Sequence, residues 1–462
     1  MFHRQHRRTF LTKLAGAGAA MLLPRFRDNP WLMAAERVRN RLRITEIESY
    51  TFYLPYHKFN STDVLRYHSY RLQANTVILV RTDKGLVGAG QSWGIYNVSD
   101  EQRKKYIGTS PFDWLASRSD LPFNMAMYDL MGKYLDIPVW KLIGEQVRDR
   151  MPVSAWTASF APEKMAEEVR HAASMGYKWL KYHIDETQNV VDQTRAMQAV
   201  APPDFRVHYD FNVNSHRAAI EPVLDALREF PIVGRIEDPI STAKPEDWQY
   251  FCDKYDFPIV GHHAPVNFMV NGSADGYMAG HAPIGQAMNV ASVAEHVNKP
   301  IMLQQAGTYI NQAFQAHETS VFPTATMDQV NLAELWDDHV TNETMPIENG
   351  SISVPDGPGL GVTVDVEKLK QVASRPKPSL APYLVRIVYK HGPTIVARHI
   401  PGTEGHTDDM RMLTRLLGQK TNLPGPVPGY MNEVRTDWWD DTSDPAWQKA
   451  WTATENQKYV LI

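Results

Sequence analysis

Four short segments end on residues able to move protons or hold a metal ion: Lys181-Tyr182-His183, Asp210-Phe211-Asn212, Glu237-Asp238-Pro239 and His262-His263. Asp210, Glu237 and His262 stand 27 and 25 residues apart, each behind a short run that reads as a strand. In a parallel barrel the C-terminal ends of the strands face one mouth, so polar residues there are presumptively functional. Two carboxylates with further oxygen donors suit a hard cation such as Mg²⁺. The imidazole of His262 brings Mn²⁺, Fe²⁺ or Zn²⁺ into range. One divalent cation, Mg²⁺ first, is therefore expected on Asp210, Glu237 and His262, with His263 as the alternative ligand if the register shifts by one. Side chains two apart on a strand share a face, which puts Lys181 and His183 on the same side. Taken singly, a strand-end acid is more often a helix cap or a loop bond. The correlated placement on consecutive strands is what marks these.

The elements that must position them follow from the pattern. Residues 42–150 read as an antiparallel sheet followed by helices, an α+β capping domain. Within it, 44–52 alternates as a strand, Thr76-Val77-Ile78-Leu79-Val80 is β-rich, and Asp83-Lys84-Gly85 turns into a partner strand at 86–90. From residue 151 to 375 short strands alternate with amphipathic helices, at a pitch that fits about eight units. That predicts an α/β fold, a (β/α) barrel of the modified TIM type, with the chain returning to the cap. Residues 376–462 depart from this pattern. They open on a hairpin around Tyr389-Lys390-His391-Gly392 and carry Trp438-Trp439-Asp440-Asp441, an extension without an assigned role.

Several motifs give this frame a family resemblance. Phe123-Asn124-Met125-Ala126-Met127-Tyr128-Asp129-Leu130-Met131-Gly132-Lys133, followed by Ile137-Pro138-Val139-Trp140, resembles the helix that closes the cap in the mandelate racemase/muconate lactonizing branch of the enolase superfamily. Gly176-Tyr177-Lys178-Trp179-Leu180-Lys181, Asp210-Phe211-Asn212 and Ile236-Glu237-Asp238-Pro239 resemble its second, third and fourth barrel strands. Pro355-Asp356-Gly357-Pro358-Gly359-Leu360-Gly361 resembles its C-terminal turn. The likeness covers residues 42–370.

The resemblance implies a metal-held substrate carboxylate and removal of the proton beside it. Lys181 is implied as the principal base, with His183 protonating the departing group and a metal-lowered lysine pKa. The chain departs from the family at several positions. Lys-x-Lys is Lys181-x-His183, the third metal carboxylate is His262, and the seventh-strand His is Gln304 or Gln305. The sixth-strand Asp falls near Gly280, and the eighth-strand acid is Asp328. With no second base expected on the opposite face, the resemblance points to β-elimination of water, as in sugar-acid dehydratases. An epimerase or racemase, or a non-catalytic binding protein on a decayed barrel, are the alternatives. Asn212, His263, Gln304, Gln305 and, from the cap loops, Arg66, Tyr67 and Trp93 are expected to bind the substrate.

Composition narrows the partners. The chain has 462 residues, 43% of them hydrophobic, and a formal net charge of -4, so nucleic acid is not implied. Its single cysteine, Cys252, cannot form an internal disulfide. A small-molecule carboxylate is the expected substrate and a homo-oligomer the expected assembly. At the start, Arg7-Arg8 precedes a short run rich in Ala, Gly and Leu and a small-residue site at Met33-Ala34-Ala35. That order is the order of a twin-arginine export signal over residues 1–35, and the run is too short to span a membrane. A periplasmic or secreted protein is expected. Replacing Arg7 and Arg8 by Lys should leave it in the cytoplasmic fraction of the cell; an unchanged periplasmic yield would contradict the signal.

Overall fold

The computed structural model describes residues 42–462 except 69–70, 186, 214, 379–380, 400–426 and 458. Arg7-Arg8 and the run behind them lie outside the described residues.

Three strands, β1 (Ile44–Tyr53), β2 (Ala74–Thr82) and β3 (Val87–Trp93), form an antiparallel sheet in that order. The connection from β1 to β2 carries a short helix, α1 (Ser61–His68). Val77, Ile78, Leu79 and Val80 are all fully buried, because both faces of β2 are covered. The covering helix is α2 (Leu121–Leu135), buried from Leu121 through Gly132. Gly90 is required for that approach, since a Cβ there would collide with the carbonyl oxygen of Pro122.

Eight parallel strands follow: β4 (Arg150–Thr157), β5 (Trp179–His183), β6 (Arg206–Asp210), β7 (Val233–Glu237), β8 (Ile259–Gly261), β9 (Gly276–Gly280), β10 (Ile301–Gln304) and β11 (Gln329–Val330). Each pairs with the next, and β11 pairs with β4 to close the barrel. The helices α3 (Pro162–Ser174), α4 (Val190–Gln198) and α5 (Tyr309–Val321) belong to its outer ring. Register is what builds the interior. His183 stands beside Asp210 and Asp210 beside Glu237, so those three share a layer. Lys181, His208 and Arg235 are aligned in the layer below.

The expected return to the cap is present. The buried carboxylate of Asp129 on α2 accepts from the backbone N–H of Ala89 at 2.9 Å and of Leu360 at 3.0 Å. Lys133 Nζ lies 2.6 Å from it. One side chain thus ties the cap sheet, its helix and the 355–361 turn together. Gly359 takes φ +68 there. Beyond the turn the expected hairpin is part of a four-stranded antiparallel sheet. Its strands are β13 (Tyr383–Tyr389), β14 (Thr394–His399), β15 (Val434–Trp439) and β16 (Tyr459–Leu461), in the order β15-β13-β14-β16. A short strand, β12 (Ser351–Ser353), pairs antiparallel with β4 before it. One face of the sheet packs Leu384, Val396 and Trp439 against Trp447 and Ala450 of α6 (Pro445–Ala453). Val385, Ile387 and Ala397 join the main core.

Glu168 of α3 is 4% exposed, within 3.5 Å of Asn60 where the cap meets the barrel. Burial pushes its carboxyl up to about 7, from 4.5. In that interval the unfolded chain has lost a proton that the folded chain keeps. Stability therefore falls as pH rises through the window, by about 3 kcal/mol at most. Glu168→Gln should remove this slope and be the more stable protein near pH 8. Denaturant unfolding at about pH 5 and pH 8 measures it, and an equal slope in both proteins would contradict the assignment.

Candidate active site

A cavity of about 250 Å³ opens at the C-terminal ends of the barrel strands. Barrel residues Trp156, His183, Asp210, Asn212, His262, His263, His281 and Gln304 line it from below and around. His68, Leu72 and Trp93 of the cap close it from above.

Beneath the cavity lies a layer of buried charge. Lys181 is fully buried, its Nζ 2.7 Å from Glu237 Oε2, 3.1 Å from Asp210 Oδ2 and 3.1 Å from Gln304 Oε1. Burial alone would lower its pKa, but Asp210 and Glu237 outweigh burial and raise it. Lys181 is an ammonium in this arrangement, and it lies below the cavity instead of lining it. Both carboxylates are held below their ordinary range despite burial, Asp210 chiefly by Lys181 and then His183, Glu237 by Lys181 and then His208 and His262.

The imidazoles take different positions around this centre. His208 Nε2 is 2.7 Å from Glu237 Oε2, and burial drives its pKa down to about 4. His262 Nδ1 is 3.1 Å from Glu237 Oε1. Gly280 leaves room for this ring, because a Cβ there would collide with His262 Nε2. His183 Nε2 is 3.1 Å from Asp210 Oδ2, and the edge of its ring meets Trp156 at 5.3 Å between centroids. His281 follows β9 at φ +50 and stacks with Trp93 at 6.0 Å. Burial lowers its pKa to about 4. β5 and β9 are the second and sixth of eight strands, so His183 and His281 face the cavity from opposite walls.

The donor chemistry fits a divalent cation, with one change to the expected set. Asp210, Glu237 and Asp238 each offer an oxygen within 4.8 Å of the others. A second group of the same span joins Asp238 to His262 and His263. Asp238 is fully buried and sits at φ +48. Its carboxylate accepts from the backbone N–H groups of His262 at 2.9 Å and His263 at 3.0 Å. Burial, then the charges of Glu237 and Asp210, push it up to about 7. Three carboxylates confined this closely are what a hard cation relieves. Asp210 and Glu237 thus fall in one group and His262 in the other, with Asp238 as the acid common to both.

Other expectations are corrected. Asp328 stands before β11 and pairs with Arg235 at 2.7 Å, in a cavity of about 220 Å³ at the opposite end of the barrel. Gln305 points away from the mouth, bonded to Glu318 of α5. Arg66 pairs with Asp440 of the extension at 3.0 Å. Tyr67 is buried with its hydroxyl on Asp185. Gln304, Asn212, His263 and Trp93 do line the cavity. Missed were Asp238, His208 and His281. His208 was visible as the same-face neighbour of Asp210, two residues earlier.

Residues 164–369 match the family described as Enolase C-terminal domain-like. The chain is 24% identical over 280 residues to D-galactonate dehydratase of Xanthomonas euvesicatoria pv. vesicatoria (strain 85-10), covering 55% of this chain and 73% of the relative. It is likewise 24% identical over 248 residues to the N-succinyl-L-Arg/Lys racemase of Bacillus cereus (strain ATCC 14579), covering 47% and 65%. In fold it resembles a mandelate racemase/muconate lactonizing family protein from Azoarcus sp. EbN1, with a TM-score of 0.60, 18% identity, and coverage of 72% of this chain and 98% of the other.

Asp210→Asn and Glu237→Gln should each weaken Mn²⁺ binding by roughly tenfold or more, the low end for outer-shell changes alone. Asp328→Asn should leave it unchanged. Calorimetric titration distinguishes them, and equal affinities in all three variants would rule out the site.

Proposed function

We propose that the enolase-like barrel removes the proton beside the carboxylate of a sugar acid and expels the neighbouring hydroxyl as water. The observation that carries this reading is the cavity itself. Imidazoles on opposite walls, His183 and His281, flank a floor of buried carboxylates at a barrel mouth. The D-galactonate dehydratase relative supports the substrate class.

A divalent cation held by Asp210, Glu237 and Asp238, with His262 at the rim, would neutralise the substrate carboxylate and the charge that gathers on it as the α-proton leaves. Lys181 fixes Asp210 and Glu237 from below and adds positive charge under the floor. His183, oriented by Asp210 through Nε2, is placed to exchange a proton with the substrate. His281, across the cavity, is placed to act on the other face. In elimination the α C–H electrons form the new double bond, the β C–O bond breaks, and the oxygen takes a proton to leave as water. The resulting enol becomes a 2-keto-3-deoxy acid. The histidine and amide groups of the described lining suit the hydroxyls of such a substrate. The sequence expectation that Lys181 is the base gives way, in this reading, to His183.

His281 also favours a second reading, epimerisation, because a proton removed at one wall could be returned from the other. The B. cereus racemase relative is consistent with it.

Turnover of aldonic acids by the Mg²⁺-loaded enzyme in deuterated water separates the two. A 2-keto product is expected; α-deuteration with inversion and no keto product would establish the epimerase instead. His183→Ala should lower kcat by about a hundredfold or more. A fully active His183→Ala protein would remove His183 from the proton transfer.

A further inference from the structure

The extension beyond the barrel grips the active site from outside. Helix α1 forms part of the roof. Its last residue, His68, lines the cavity and lies 5.4 Å from the ring of Trp156, which in turn meets His183. The preceding residue, Tyr67, is buried and donates its hydroxyl to Asp185, two residues beyond His183. Tyr67 to Asp185 is therefore a joint between roof and barrel. An eight-residue helix has little stability of its own, so contacts from elsewhere must hold it.

The extension supplies contacts on both sides of this joint. On the roof side, the Tyr383 hydroxyl of β13 donates to the carbonyl of Arg66 at 2.6 Å. On the barrel side, the Thr436 hydroxyl of β15 donates to the carbonyl of Thr187 at 2.7 Å. Thr187 itself donates to Asp185 Oδ1 from both its backbone N–H and its hydroxyl, at 3.0 and 2.7 Å. β13 and β15 are neighbours in one sheet, so the two grips move as one body.

Magnitudes rank the contacts. The Arg66 to Asp440 pair is open to water, with Asp440 62% exposed, and such pairs contribute little. Tyr383 is 6% exposed, stacked on His399 at 4.5 Å and edge-on to Trp438 at 5.8 Å. Its ring is fixed, and its bond to Arg66 is the stronger constraint.

We propose that the C-terminal sheet is a brace that sets the position of the active-site roof, with Tyr383 and Thr436 as its positioning residues. The consequence for turnover rests on the reading of the cavity as a sugar-acid site; the mechanical role does not.

Hydrogen exchange of the full chain tests the mechanical role directly. In the Tyr383→Phe, Thr436→Val double variant, amides of residues 61–68 should lose about tenfold of their protection, while those of α6 keep theirs. Asp440→Ala should change them less than twofold. With the Mg²⁺-loaded enzyme, KM for an aldonic acid should rise in the double variant by more than kcat falls. Unchanged protection over 61–68 overturns the brace. Should α6 lose protection as well, the single Tyr383→Phe variant, which lacks only one hydroxyl, decides by the same criterion. Loss of protection with an unmodified enzyme that turns over no aldonic acid would leave the brace standing and sink the substrate assignment.

Discussion

A buried carboxylate is expensive unless other charges meet it, and the barrel is organised around one. Glu237 is fully buried at the end of β7 and faces Lys181 of β5, His208 of β6 and His262, one residue past β8. Removing one member of such a cluster leaves an uncompensated charge and costs roughly 3–5 kcal/mol. The apolar alternative would be at least as stable, so stability alone does not account for the cluster. It makes sense as a site whose charge is poised for something else. The register shared by β5, β6 and β7 follows from the same requirement. A slip by one residue in any of these strands would turn its own member, Lys181, His208 or Glu237, outward.

Strained backbone marks the same place. Asn212, Val213, Asp238 and His281 all adopt positive φ just beyond strand ends at the mouth. For a β-branched residue such as Val213 that conformation is an outlier, sustained only where the surroundings fix it. Asn212 is fixed by its backbone N–H on Asp210 Oδ1, at 2.9 Å. Asp238 is fixed by its two backbone partners after β8. At His281 the strain is useful, because it turns into the cavity a side chain that strict strand alternation would send elsewhere.

That point explains what could be read from the sequence and what could not. The barrel, the cap sheet, the returning turn and the inward placement of Lys181, His183, Asp210 and Glu237 all follow from alternation and spacing, and alternation is obeyed within strands. Asp238 and His281 stand one residue past a strand end, where a left-handed residue breaks the rule, so counting could not place them. Gln305 fails for the opposite reason: it keeps to alternation, and one step from Gln304 puts it on the outer face. Asp328 was adjacent to a strand, but β11 is only two residues long and the acid precedes it. Sequence proximity cannot tell one end of so short a strand from the other. Arg66 suits a polyhydroxylated acid by residue type, and its actual partner, Asp440, lies 374 residues away, beyond the reach of local pattern.

The presence of His281 alters the argument for elimination over epimerisation. The absence of a base on the far wall had been the reason to expect elimination, and the far wall has an imidazole. The two histidines are not equivalent, however. An epimerase acting in both directions needs each group to accept a proton in one direction and donate it in the other. That works best when both have similar affinity for protons near the working pH. His183 has an anionic partner in Asp210. His281 is stacked with Trp93, and burial depresses its affinity, so it is a weak base and, once protonated, a strong acid. Walls so differently furnished suit, in the reading proposed above, a reaction that runs one way, with the proton taken at the Asp210 wall and the leaving hydroxyl protonated at the other. Anti elimination has this demand, because the α-hydrogen and the β-oxygen depart from opposite faces. The asymmetry of the walls, more than the number of bases, is the physical ground for proposing elimination over epimerisation.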